Sequence, residues 1–160
     1  MSKDIISTMQ RLNEKAAPEA LSLVESVFVE TAKLCDYRFE LTEGGRLYAF
    51  AQGMTSAQGL DHFSYQWFSM RFEEFVFIDR IIVDNAYRRQ GRGAQLLDAC
   101  VAKAQMHNKP LIVCHVHDRP SNKIGHLFVQ SMGFSAIESV MLPSREIVTM
   151  YQRSIAIATP

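Results

Sequence analysis

Phe75–Leu97 reads FVFIDRIIVDNAYRRQGRGAQLL, an apolar strand that runs through a short turn into a glycine- and arginine-rich helix start. From Phe75 to Val83 the residues are aromatic or β-branched except Asp79 and Arg80, the pattern of a strand buried on both faces. After Arg92, the residues Leu96, Leu97, Cys100, Val101 and Ala104 recur at helical spacing and lay one apolar stripe on a sheet. Gly91 and Gly93 stand in the first turn, where backbone N–H groups lack intrahelical partners and the dipole favours negative charge. Glycine lets an anion approach that backbone, and Arg88, Arg89 and Arg92 add fork-shaped donors suited to phosphate oxygens. The stretch therefore reads as a cradle for a polyanion. G-x-x-x-x-G-K-[ST] is absent, and G-x-G-x-x-G would need glycine where Leu96 stands, so neither a P-loop nor a dinucleotide fingerprint fits.

At 160 residues and 48% hydrophobic content, the chain can bury one sizeable core and reads as a single domain over residues 1–160. Seventeen basic residues balance seventeen acidic ones, so the arginine cluster is local. It suits a small polyanion, and neither nucleic acid nor a membrane is expected as a partner. Three cysteines, Cys35, Cys100 and Cys114, lack C-x-x-C spacing, which argues against a disulfide framework or a zinc knuckle and for a reducing, cytoplasmic setting. The opening MSKDIIST carries no apolar run of signal-peptide length, and no stretch reaches the length of a membrane span.

Asp4 to Lys15 reads as a helix with Ile5, Met9 and Leu12 on one face, and Pro18 marks the break before a second helix through Leu34. Tyr37 to Leu41 and Arg46 to Gln52 alternate around Glu43-Gly44-Gly45, a hairpin signal. Leu111 to Val116 is another buried strand, followed by a helix opened at Ser121 or Asn122 and by a hairpin of Ala136 to Met141 with Glu146 to Ile155. Between Gly53 and Glu74 lies an aromatic segment that includes Trp67 and Phe68. It reads either as a short helix packed on the sheet or as a lid over an acceptor pocket.

Arg88-x-x-Gly91-x-Gly93, after a strand ending in Ile81-x-Val83, resembles the coenzyme A pyrophosphate motif of the GNAT N-acetyltransferase superfamily. Asn122, Gly125, Phe128 and Gly133-Phe134 are similar to that superfamily's second signature, and the resemblance runs from about Leu12 onward. Asp79-Arg80-Ile81-Ile82-Val83, with Trp67-Phe68 before it, resembles a poorly characterised branch of predicted acetyltransferases. The resemblance implies an α/β fold with a mixed, mostly antiparallel sheet flanked by helices. A first strand normally precedes the two leading helices, and few residues are left for it here. It also implies acetyl-CoA as co-substrate and direct transfer of acetyl to a primary amine of a small molecule or peptide in a ternary complex. By the same resemblance, backbone around Ile81, Ile82 and Val83 bonds the pantetheine arm and acetyl carbonyl, with Asn122 and Phe128 beside the cofactor. Arg88, Arg89, Gln90, Gly91, Arg92, Gly93 and Ala94 hold the pyrophosphate.

Asp79 is the leading candidate base: period-two alternation places it on the face of Ile81 and Val83, and burial should raise its pKa to a useful value. The alternative is an Asp79 paired with Arg80 that only shapes the pocket. Many members of the resembled superfamily carry Tyr seven residues after the Asn of the second signature, where this chain has Val129. His126, Ser121, Tyr151 or a water would have to serve as proton donor. His115 and His117 share one strand face; without a third ligand they suit acceptor recognition or polar packing better than a metal, and none is expected. A CoA-binding sensor without turnover is the competing class, and ATP or NAD at the same helix start is disfavoured by the absent fingerprints. The sequence names neither the acceptor nor the oligomeric state, and a homodimer is admitted.

Overall fold

The computed structural model describes residues 3–16 and 25–157; the break expected at Pro18 lies outside them. Two helices lead, α1 (Lys3–Lys15) and α2 (Glu25–Leu34), followed by strands β1 (Tyr37–Glu43) and β2 (Arg46–Thr55). Helix α3 (Phe63–Ser69), strand β3 (Val76–Val83), helix α4 (Arg92–Met106) and strand β4 (Leu111–Arg119) come next. Helix α5 (Lys123–Ser131) and the hairpin of β5 (Ser135–Met141) and β6 (Ile147–Ser154) complete the order. Among the described residues no strand precedes α1.

One six-stranded sheet runs β1-β2-β3-β4-β6-β5, antiparallel throughout except between β3 and β4. The β1–β2 turn closes on Gly44 and Gly45, both at positive φ, the geometry of a two-residue hairpin turn whose twist matches the flanking strands. The apolar stripe of α4, Leu96, Leu97, Cys100 and Ala104, packs on one sheet face with Val76, Ile78, Ile112 and Val116. On the other face α3 contributes Tyr65, Trp67 and Phe68 to a core with Phe75, Phe77, Val113 and Met150, while α1 and α2 cover Phe50 and Ile82 with Met9 and Phe28. Trp67 and Phe68, expected as acceptor-pocket residues, are therefore core residues. Phe68 is 0% and Trp67 8% exposed, and neither lines a cavity described below. A row of aromatics at a sheet face is stabilised more by burial than it could gain at a wet pocket wall.

Beside Asp79 the register of β2 against β3 shifts, with Gln52 opposite Arg80 but Gly53 opposite Ile78. This bulge leaves Asp79 as the extra residue and resets the alternation. Ile81 and Val83 face the α4 side, whereas Asp79 joins Phe77 and Arg80 on the face of α1 and α3. The expectation that Asp79 shares the face of Ile81 and Val83 is corrected accordingly.

Candidate active site

The cradle begins where β3 ends. Asp84 caps a short 3-10 turn at Asn85–Tyr87 by accepting from the Ala86 N–H at 3.2 Å, and Tyr87 stacks on Tyr48 with ring centroids 4.1 Å apart. Arg88 Nε then donates to the Val83 carbonyl at 3.3 Å. Arg89 and Gly91 both take positive φ, +62° and +74°, and coil the chain so that α4 starts at Arg92 with its first turn uncovered. The first intrahelical bond from Gln95 reaches back to Gly91, leaving the N–H groups of Arg92, Gly93 and Ala94 without an intrahelical acceptor. A Cβ added at Gly91 would meet no atom within 4 Å, so space above the helix start is open. Gly93 lies so close to the Phe128 ring that a Cβ there would sit 3.2 Å from it.

A cavity of about 740 Å³ opens over this turn. Its wall brings together Ile81, Ile82 and Val83 with Arg88, Arg89, Gly91, Arg92, Gly93 and Ala94, and with Asn122 and Phe128 from α5. Gln90 is exposed and does not line it. Asn122 is the N-cap of α5, accepting from the Gly125 N–H at 2.9 Å, which settles the cap between Ser121 and Asn122.

Strands β3 and β4 pair only at Val76–Ile112 and Phe77–Val113 and then diverge. The gap holds a second cavity of about 140 Å³, lined from β3 by Ile78 to Ile82, from β4 by Cys114 to His117, and closed by α5 through Asn122, Phe128 and Val129. Along this gap the edge of β3 has no strand to bond, which leaves ladder groups facing a ligand. Ile81, Ile82, Asn122, Gly125 and Phe128 line both cavities, so the gap and the cradle adjoin. Val129 stands in the wall where the resembled superfamily often carries tyrosine, and it offers no hydroxyl.

Ionisable groups gather on the α1–α3 side of the gap. Asp79 accepts from Gln52 Nε2 at 3.0 Å, with Arg80 Nε at 3.9 Å and His62 Nε2 at 3.7 Å. Gln52 in turn accepts from Arg38, and Arg80 donates to Asn13 of α1 at 2.9 Å. Burial alone would push the Asp79 carboxyl up, but the His62 imidazole, the Arg80 guanidinium and the Gln52 amide together hold it below the usual carboxylate range. The expected rise is thus reversed, and the carboxylate is a weakened proton acceptor. His115 Nδ1 lies 2.5 Å from Ser64 Oγ, and burial beside His117 pushes its pKa down to about 3. His117 Nε2 meets Glu146 Oε2 at 2.6 Å. The two β4 histidines face the same side, ring centroids 5.2 Å apart, as the strand period requires.

On the α4–α5 side, His126 Nδ1 pairs with Tyr151 Oη at 2.7 Å and Nε2 with Asp118 at 2.9 Å. Neither His126 nor Tyr151 lines the cavities, so this trio ties α5 to β4 and β6. His62, Ser64 and Glu146 escaped sequence reading because each finds its partner across the fold. No group of three metal-ligating side chains is present among the described residues.

The fold, a six-stranded mixed sheet flanked by helices, is shared with solved acetyltransferases. The ribosomal-protein-S18-alanine N-acetyltransferase from Escherichia coli aligns with TM-score 0.70 at 19% identity, over 99% of this chain and 93% of that one. The NatC complex bound to Gag peptide and CoA aligns at 0.68 and 12%, over 97% and 93%. The yncA protein from Salmonella typhimurium, with its cofactor acetyl-CoA, aligns at 0.63 and 14%, over 100% and 94%. No curated protein matches the sequence. Residues 41–136 match the Acetyltransferase (GNAT) domain. The chain belongs to the GNAT acetyltransferase family, a family of acyltransferases.

Proposed function

We propose that residues 1–160 form one domain that transfers acetyl from acetyl-CoA to a primary amine of a small molecule or peptide, by direct attack in a ternary complex. The observation that carries the reading is the junction of the two cavities: the cradle at Arg88–Ala94 adjoins a gap in the sheet walled by ionisable groups. Uncovered N–H groups at the α4 start and the arginines beside them suit a pyrophosphate. The unpaired edge of β3 at Ile81–Val83 suits an extended amide-bearing arm, as a strand edge suits any extended chain. Structural neighbours bound to acetyl-CoA, or to a peptide and CoA, support the same assignment. Free cysteines, with Cys100 and Cys114 buried and Cys35 half-buried, fit a cytoplasmic setting. Among the described residues no helix is long and apolar enough to cross a membrane.

Acetyl-CoA should raise the melting temperature, because a ligand that binds only the folded state stabilises it by about 2.7 kcal/mol at a hundredfold excess over Kd. Equal shifts with NAD or ATP would refute the assignment. Gly91→Val should weaken acetyl-CoA binding at least tenfold, about 1.4 kcal/mol, because its side chain fills the open space over the helix start and a β-branched residue is strained at φ +74°. A folded variant with unchanged affinity would place the pyrophosphate elsewhere. Val129 in the gap wall favours a second reading, an acyl-CoA sensor without turnover. Thiol release from acetyl-CoA with tetrapeptides bearing free α-amines, Nα-acetyl-lysine amide and spermidine separates the two.

A further inference from the structure

We propose that His117, oriented by the Glu146 carboxylate, is the base that takes the proton of the attacking amine. This rests on the acetyltransferase reading above. His117 leaves β4 on the face that carries His115 and the Asp79–Arg80 pair, and it lines the gap between β3 and β4. Counted from the last paired residues, Phe77 and Val113, and with Asp79 as the extra residue of β3, it stands level with Ile82, beyond the divergence of the strands. That is where the backbone of β3 is proposed to hold the acetyl carbonyl.

The Glu146 contact decides the tautomer. A carboxylate only accepts, so Nε2 at 2.6 Å carries the hydrogen and Nδ1 keeps the lone pair. The competing groups are engaged: Asp79 is held by Gln52 with His62 and Arg80 beside it, and His115 Nδ1 is held by Ser64. Burial lowers the His117 pKa and Glu146 opposes that fall, so the ring is neutral at pH 7 and can accept a proton.

In the step, the amine nitrogen attacks the thioester carbonyl carbon, the C–N bond forms and the C–S bond breaks. The proton lost from nitrogen passes to His117 Nδ1 and then to solvent, and the departing thiolate takes one from water, giving amide and thiol. Glu146 is a positioning residue, since it acts through the imidazole.

The test uses the full chain, acetyl-CoA, and whichever amine of the panel above the wild type acetylates fastest. His117→Asn should lower kcat/KM roughly 10²- to 10⁴-fold with acetyl-CoA affinity and melting temperature near wild type, and should remove the acidic limb of the pH profile. Glu146→Gln should shift that limb to lower pH with a smaller loss of rate, because the imidazolium loses its counter-charge. The charged groups facing His117 are Glu146, Arg80 and Asp118, with His115, His62 and Asp79 next to them, so Asp79→Asn serves as control for a limb that belongs elsewhere. A His117→Asn chain with wild-type kcat/KM and an intact limb overturns the base role while leaving the acetyltransferase reading in place. A wild type that binds acetyl-CoA and acetylates no panel amine overturns that reading, and the base role falls with it.

Discussion

Asp79→Asn should cost the fold about 3–5 kcal/mol at pH 7, the usual penalty for removing one member of a buried ion pair. Asp79 has a side chain only 7% exposed, and it is the anion between Arg80 and His62. Asparagine fills the space but removes the negative charge that faces the Arg80 guanidinium and the His62 ring. Because the folded pKa is depressed, the stabilising effect is complete above the unfolded carboxyl value, about 3.9, and disappears as pH falls through the folded one. Urea unfolding at pH 7 reads the difference directly. Acetyl transfer per folded molecule should stay near wild type in this variant. A further hundredfold loss per folded molecule would reinstate Asp79 as the base.

Acidification should act through a different residue. Burial holds His115 neutral with a pKa of about 3, against about 6.5 in the unfolded chain, so below pH 6.5 the unfolded state takes up a proton that the folded state refuses. Stability contributed by the neutral ring is intact above pH 6.5 and falls with pH from there down to 3. Between pH 7 and pH 5 the loss from this one group is about 2 kcal/mol. His115→Asn, which keeps a polar partner for Ser64 and cannot titrate, should flatten that part of the curve. The check is the difference in unfolding free energy between pH 7 and pH 5 for the two chains. Equal slopes would show that His115 titrates normally and that the gap is wetter than its walls suggest.

The strand, turn and helix start of this stretch are legible because everything that makes them is local. Strand, turn and helix start follow one another within Phe75–Leu97, and an uncovered helix N-terminus is a property of the helix itself. The face of Asp79 was not legible, because the bulge that turns it depends on Tyr37 and Gly53, which come from β1 and β2. Tyr37 Oη donates to the Phe77 carbonyl at 2.7 Å, and Gly53 makes room for that bond: a Cβ on it would lie 2.0 Å from the same oxygen. Nothing in FVFIDRIIV shows that a tyrosine from β1 will occupy that carbonyl. The same holds for charge. Burial alone raises a carboxyl, but Gln52 and His62, which help reverse the shift at Asp79, come from β2 and from the residue capping α3. Aromatic density at Trp67 and Phe68 fitted a pocket or a core equally well, and only the position of α3 over Phe75 and Phe77 decides for the core.

The short contact between β3 and β4 also divides the molecule. Strands β1 to β3 form one antiparallel unit and β4 to β6 another, each continuous in sequence, and only two residue pairs join them in the sheet. Helix α4 spans the join like a hinge pin, its stripe packed on both units. Such a seam is where a domain opens first, since few ladder bonds have to break there. A ligand wedged into it would bind both units at once and work as a rivet, so under the proposed assignment the site that recognises the donor is also the joint whose rigidity the donor sets.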